Sequence, residues 1–553
     1  MNNLIDITVN GKTKQFTSGI TGLELSKYYK EEVKREVLAC KVNNQIFTLN
    51  HKINKNCTVE FIDYMNRDGN KIYVKGLKFV LIIAIKEILG YKSDIAFEHS
   101  IDKGLFCRII NGKIDNEIFQ KIKNKMKEII ELDLQFENIS VTKNDLVNYY
   151  KKTNQIDKLN NLKTIASDLV DLNKCKSYYA YFYGILPCST GALNKFDLTY
   201  LDNESLVLRF PVVRGDGEVP EYKHHEKVIN VFQEYGNWID IMKVSNVGSL
   251  NEVVSNGKIN EFIRMNEFIQ TKSLINIVDD ITTNKKEAKI ILIAGPSSSG
   301  KTTTAHKLCM YLEAKGLIPH MLSTDDYFVD RNETPLDENG EPDYESIDTI
   351  DLSLFNTQLN DLISGKEVSI PTFNFIKGEK EYNNRILKLE ENDILVIEGL
   401  HTLNEKLTSQ IPREKKVKVY ISPFTPLSID NYNHISTSDI RLLRRIVRDN
   451  RTRGHNVEAT LKMWHKVRKG EEIYVFPYQD EADYIFNTAF IYETGVLKTY
   501  VEPLLFGIDI DSPYYEEAKR LIKFLRIFFP IPADGIPKDS LLREFIGNSC
   551  FYE

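Results

Sequence analysis

At 553 residues the chain is too long for one hydrophobic core, so two to four domains are expected. Hydrophobic residues at 42% and charged residues at 27% are those of a soluble globular protein, and a net charge of -6 argues against nucleic-acid binding by bulk electrostatics. Seven cysteines without a Cys-x-x-Cys pair suggest neither a disulfide framework nor a metal knuckle; reduced thiols are predicted and no zinc is expected.

The opening Met1-Asn-Asn-Leu-Ile-Asp has no basic region and no apolar run of secretory type. The most apolar stretch, Phe79–Ile85, is too short to span a bilayer, so a cytoplasmic protein without a membrane segment is expected. In chain order, Ile5, Ile7 and Val9 alternate with polar residues, Asn10-Gly11 supplies a hairpin turn, and Lys12–Phe16 returns. A helix around Thr21–Glu32 and short strands near Val37–Val42 and Thr58–Ile62 complete a small β-rich module. Phe79–Leu89 reads as a buried helix, and Ile118, Ile122, Met126 and Ile129 make Glu117–Leu132 an amphipathic one. Phe210–Asn284 is weakly patterned and reads as a connecting region with helices such as Ile259–Ile269.

From Lys289 the character changes. The β-branched run Lys289–Ala294, a Gly/Ser loop and the helical Thr302–Lys315 are followed by apolar runs at Ile394–Ile397 and Val417–Ile421, which imply a parallel α/β sheet. Pro513–Phe529 reads as a further helix, and no internal repeat is present.

Gly295-Pro296-Ser297-Ser298-Ser299-Gly300-Lys301-Thr302 fits G-x-x-x-x-G-K-[ST] between a strand and a helix, the context a phosphate-binding loop requires. Its amides, with Thr303 next in line, are expected to cradle the phosphates of ATP. Lys301 would reach the β- and γ-phosphates and the Thr302 hydroxyl would hold Mg²⁺. Ser323-Thr-Asp325-Asp326-Tyr327-Phe328 should end the second strand, where a carboxylate can accept a hydroxyl proton; a solvated helix cap is the plain alternative. Glu398 closes an apolar strand, a place for a group that contacts Mg²⁺ directly or through water. Arg441, Arg444, Arg445, Arg448 and Arg451 share one helical face with almost no acidic partners, and Arg453 follows. A lid that clamps phosphates is expected rather than a solvated face.

With these stretches in view, residues from about Lys289 to Leu505 resemble the uridine kinase and phosphoribulokinase family, and the whole chain resembles multidomain nucleoside kinases with synthetase-like modules in front. The resemblance implies Asp325 as catalytic base, Glu398 near Mg²⁺, and Arg445, Arg448 and Arg453 as lid arginines. It implies a substrate side of Asp325, Tyr327, Phe328, Glu345, Phe373, Phe375, Arg445 and His455. The chain departs from uridine kinases where Asn-Phe-Asp-His-Pro becomes Asp343-Tyr-Glu345-Ser-Ile. It departs again where Tyr-Asp-Phe becomes Phe373-Asn374-Phe375, and where Arg-Gly-Arg becomes Arg453-Gly454-His455. Losing hydrogen-bonding groups from a discriminating site fits a nucleoside kinase better than a strict uridine kinase.

Roughly Asp6–Leu201 resembles the front of threonyl-tRNA synthetases: a TGS-like β-grasp module, then an α+β editing-type domain. Lys75, Phe79, Gly184 and Cys188 stand where that editing site has its His, Cys and His residues, and a lone Cys188 assembles neither a zinc site nor a His pair. The expected organisation is therefore multidomain α/β: 1–64 TGS-like, 65–205 editing-like and catalytically silent, 206–285 connecting, and 286–553 a P-loop kinase with parallel sheet and helical tail. RNA contact through the first module, ligand sensing and scaffolding stay open, and self-association is an analogy from kinase relatives. Two other functions stay in play. One is a phosphoribulokinase-like sugar-phosphate kinase, disfavoured by the acidic Asp343–Asp351; the other is a nucleotide-switched RNA- or ribosome-binding regulator, which has no need for Asp325.

Overall fold

The computed structural model describes residues 4–552 except 166, 339 and 426, and excluding the side chain of Asp240. The start of the Met1–Asp6 stretch read for export lies outside them.

The first strands, Leu4–Val9 and Lys12–Thr17, pair antiparallel about Asn10 and Gly11, both with positive φ, as a two-residue hairpin turn demands. Ile5, Ile7 and Val9 face inward, and Cys57–Ile62 adds to the hairpin in parallel. Ala39–Val42 and Gln45–Thr48 complete a five-stranded sheet. The crossing helix Gly22–Tyr28 begins on a capping box, Thr21 and Glu24 satisfying each other's backbone N–H groups, and buries Leu25.

Next comes the helix Arg67–Leu89, which starts twelve residues before the predicted Phe79. Its first three turns carry charged residues and two glycines, so only the later apolar stretch stood out as periodic. Asn66 caps it through Asp68 and Gly69 N–H groups. Phe79–Ile85 is buried, as an all-apolar run predicts, and Asn116–Glu131 lays Ile122, Met126 and Ile129 against the same core. A four-stranded antiparallel sheet runs Asp197–Tyr200, Ser205–Arg209, Gly104–Ile110, Asp94–Ile101.

The weakly patterned connecting stretch contains three helices, Glu226–Met242, Val247–Ser255 and Ile259–Asn284. The last contains the predicted helix Ile259–Ile269 and runs on to Asn284; its apolar spacing is interrupted because Asn266, Glu267 and Gln270 are buried beside Phe262, Ile263 and Leu274. Glu267 is satisfied there by the Tyr492 hydroxyl at 2.7 Å.

Beyond it, five strands form a wholly parallel sheet in the order Ile318–Ser323, Asp393–Gly399, Ile290–Ala294, Lys416–Ser422, Tyr484–Asn487. Register sets Ala294 opposite Gly399 and Ser323 opposite Glu398, so the loop, the acid and the Asp325 turn leave adjacent strands at one carboxyl edge.

A hairpin, Ser428–Asp430 with Asn433–His434, ties this sheet to the preceding units. Phe97 N–H donates to Asn431 C=O and Lys78 Nζ to Tyr432 C=O, each at 2.8 Å, while the Tyr432 hydroxyl donates to Asp94 at 2.7 Å. The arginine helix Thr437–Thr452 begins three residues later. Among the described residues no helix is long and apolar enough to cross a membrane.

Candidate active site

The strand Ile290–Ala294 runs into the loop, and the helix Lys301–Glu313 leaves it. Gly300 has φ +91°, a backbone that L side chains rarely adopt, and lets the loop turn into the helix. Ser298 takes φ 59° despite its side chain, a local strain of about 1–3 kcal/mol that the surroundings must hold. The hydroxyls of Ser298 and Ser299 are buried without a hydrogen-bond partner.

What holds the loop is mostly the arginine helix. Arg441 Nε donates to Ser297 C=O at 2.9 Å, Arg445 donates to Ser297 Oγ at 2.7 Å, and Thr488 Oγ donates to Ser299 C=O at 2.6 Å. Glu471, fully buried on the helix Val457–Tyr474, accepts the Ser297 N–H at 2.8 Å and pairs with Arg441 and Arg468. These cations keep its carboxyl below the usual range against the opposing effect of burial. Arg444 is equally buried and paired with Glu493.

The predicted arginine face is therefore corrected in two respects. Arg441 and Arg444 point into the core as struts of the loop, because acids from distant helices meet them there. The face also has an acidic centre: Asp449, fully buried, gathers Arg445 at 3.1 Å, Arg448 at 2.9 Å and Arg453 at 3.7 Å. One helical turn separates Asp449 from Arg445 and from Arg453, so three guanidiniums are bundled toward one place. His455 hangs on the same acid's backbone, its N–H donating to Asp449 C=O at 3.2 Å, and its Nδ1 is without a partner.

Across the recess stand the acids. Of the pair Asp325-Asp326, Asp326 is engaged by Arg385 at 2.9 Å. Asp325 is exposed within the recess. Desolvation by the surrounding protein pushes its carboxyl up, while Lys301 and Arg453 draw it back. Glu398 is pushed up to about 7 by burial, against Lys301; Glu345 is likewise pushed up to about 7, against Arg445 and Lys301. Lys301 is thus the shared cation of three carboxylates from three separate segments, its ammonium meanwhile resting on Gly295 C=O at 3.0 Å. Thr302 Oγ and Ser323 Oγ reach Glu398 at 3.5 and 3.4 Å.

Glu345 is backed by Gly470, where a Cβ would stand 2.4 Å from that of Glu345, so only glycine lets this helix come so near. His401, buried and pushed down to about 4, lines the same wall, and Tyr474 donates to Asp343 at 3.1 Å. Phe328, Phe373 and Phe375 form an edge-to-face cluster with centroids 5.2–6.3 Å apart, Phe375 being 59% exposed.

Tyr327 does not belong to this side. It is fully buried against Phe355 with its hydroxyl donating to Gln358 at 2.9 Å, a core residue of the layer beneath the sheet. Its neighbour Phe328 is half-buried at the edge of the same core and from there reaches Phe373 and Phe375. Thr303, expected on the phosphates, has its N–H and hydroxyl engaged by Glu544 at 3.3 and 2.8 Å. Glu471, Thr488 and Glu544 gave no signal in the sequence, since each meets the loop from more than 170 residues away.

A phosphate loop on a parallel sheet, facing carboxylates at the strand ends, defines a P-loop phosphotransferase. The sequence pattern of the Phosphoribulokinase / Uridine kinase family matches residues 290–493. A uridine kinase of Lactobacillus helveticus is 30% identical over 176 residues, covering 32% of this chain and 74% of that protein. One of Staphylococcus aureus strain JH9 is 27% identical over 201 residues, 36% of this chain and 87% of that protein. A solved structure of a possible uridine kinase from Bacillus stearothermophilus is 19% identical over 39% of this chain and 98% of that one, with a TM-score of 0.28. The chain belongs to the phosphoribulokinase and uridine kinase family, and it is a phosphotransferase.

Proposed function

We propose that the chain transfers the γ-phosphate of Mg-ATP to the 5′-hydroxyl of a nucleoside. The observation that carries this is the strand order, which sets the phosphate loop, Glu398 and the Asp325 turn side by side at one carboxyl edge, with the charge of Lys301 felt by Asp325, Glu345 and Glu398. Among the described residues no preformed group of three metal-ligating side chains exists, in keeping with an ion that arrives on a nucleotide. Thr302 and Glu398 fit Mg²⁺, being hard oxygen donors side by side, and the upward push on Glu398 is what a cation would relieve. When bound, Mg²⁺ neutralises charge on the phosphates.

The chain's own residues do the rest. The loop amides fix the triphosphate, and Lys301 swings from Gly295 C=O onto it. Arg445, Arg448 and Arg453, bundled by Asp449, stabilise the transferring phosphoryl group. Asp325 takes the proton of the attacking hydroxyl, its raised affinity for a proton favouring that transfer. Glu345 would hold ribose hydroxyls and Phe375 would stack a base against Phe328 and Phe373. The curated relatives are uridine kinases, which favours a uridine- or cytidine-type acceptor, though the Phe373-Asn374-Phe375 sequence loosens base choice.

Residues 1–64 are read as a TGS-like module and 65–205 as an editing-like domain without catalysis; 206–285 connects them to the kinase of 286–553. Lys75 and Gly184 adjoin, a Cβ on Gly184 falling 2.6 Å from Lys75 Nζ, and Phe79 stacks on Phe136, so two of the four editing positions are a buried ring and a glycine. Scaffolding is the role the hairpin at 428–434 favours, because those front units hold the root of the arginine helix.

The test is incubation of the full chain with Mg-ATP and, in turn, uridine, cytidine, inosine, guanosine and adenosine. Nucleoside-dependent ADP release with a 5′-monophosphate product is expected. ADP release that follows RNA and no nucleoside would transfer the chain to the switch class.

A further inference from the structure

The segment after residue 530 returns to the phosphate loop. Leu541 and Leu542 are fully buried, Leu541 against Gly300, and a single helical turn, Arg543–Ile546, follows. Arg451 fastens it by donating to Glu544 C=O at 3.0 Å and Phe545 C=O at 3.1 Å. The Phe551 ring stacks on His306 of the loop's helix, centroids 5.3 Å apart and planes within 8°.

What this segment presents to the loop is an acid. The Glu544 carboxylate accepts the Thr303 hydroxyl at 2.8 Å and the Thr303 N–H at 3.3 Å, and the Tyr552 hydroxyl meets the same Thr303 oxygen. The first N–H groups of a P-loop helix are those that cradle a nucleotide's α- and β-phosphates. A carboxylate on one of them is an anion on an anion's donor, bonded with a full charge. Its field reaches further: Glu544 adds to the upward push on Glu398, across the loop.

We propose that the Glu544 side chain, with residues 547–552 beside it, forms an autoinhibitory latch on a fixed turn, in which its carboxylate occupies the Thr303 amide and hydroxyl that the α-phosphate of an incoming nucleotide requires. The donor then binds by displacing the latch, and its apparent affinity is reduced by the fraction of molecules that are latched. The inference rests on the nucleotide-binding reading of this loop, and it needs nothing of the acceptor.

The experiment is calorimetric titration of the full chain and its Glu544→Gln variant with Mg-ADP, which carries the α-phosphate and cannot turn over. Glutamine keeps the shape and a weaker acceptor but removes the charge. The expected result is binding tighter by about tenfold in the variant, with the gap narrowing at high salt. Affinities within twofold, or a weaker variant, overturn the latch. Hydrogen exchange on the wild-type chain supplies a second measurement that needs no variant. Amides 547–552 should be protected without nucleotide and lose protection with Mg-ADP; protection unchanged or increased makes the segment a fixed wall and refutes displacement. Absence of Mg-ADP binding by both proteins would instead sink the nucleotide reading beneath it.

Discussion

Glu471→Gln isolates the device that shapes the phosphate loop. Glu471 and Arg441 are a buried pair, and the acid also accepts from Ser297 N–H and Arg468. Neutralising it leaves the Arg441 guanidinium, 1% exposed, without its counter-charge, which costs about 3–5 kcal/mol. The Ser297 bond falls from a charged to a neutral acceptor, about 1 kcal/mol and so about fivefold in nucleotide affinity. Trp464 lies under Arg441, ring centroid 5.3 Å from the guanidinium carbon, and the only other tryptophan is Trp238. In a Trp238→Phe background, urea unfolding followed by fluorescence therefore reports this neighbourhood alone. The double variant Glu471→Gln, Arg441→Met removes both charges at similar volume and should recover at least half of the lost stability. A single variant within about 0.5 kcal/mol of the parent, or a double variant no better than the sum of the singles, would refute the reasoning.

Phe375→Ala should raise the KM for the nucleoside about tenfold with kcat little changed, the scale of one base–aromatic stack, as read by steady-state kinetics. Burial pushes the Glu398 carboxyl from 4.5 up to about 7, so between those values the nucleotide-free chain keeps a proton there that the unfolded chain has released. Its stability should therefore fall as pH rises from about 4.5 to 7. Glu398→Gln should flatten that slope in a thermal melt, and in the wild type Mg-ATP affinity should strengthen from pH 6 to 8 as the acid ionises. Tyr432→Ala, which removes the ring between Asp94 and Lys158, should cost about 3–5 kcal/mol at the hairpin. Limited proteolysis near residues 428–436 and weaker ATP binding would register it; unchanged cleavage and affinity would leave the front units uncoupled from the arginine helix.

Much of the site was legible because P-loop chemistry is local. Eight consecutive residues set the loop, Glu398 stands at the end of an apolar strand, and Asp325 follows directly on the neighbouring strand, where the parallel order delivers them together. The first module's hairpin was legible for the same reason, its turn and alternation lying within fourteen residues. Tyr327 was misplaced because sequence does not say which of two adjacent rings on a short turn is taken fully into the core. The arginine face misled differently: helical spacing puts Arg441 and Arg445 on one side, yet a distant Glu471 draws the first into the core. The start of the helix Ile259–Asn284 was legible in Ile259–Ile269, but its full length was not, because buried Asn266 and Glu267 interrupt the apolar spacing and meet partners some 225 residues on.

Single-turnover transfer from Mg-ATP to a nucleoside, compared between the wild type and Asp325→Asn, bears on the central claim most directly. The account predicts a 5′-monophosphate from the wild type, and from the variant unchanged ATP binding with transfer slowed by two orders of magnitude or more, roughly the scale of a general base. Transfer by Asp325→Asn at the wild-type rate would contradict it.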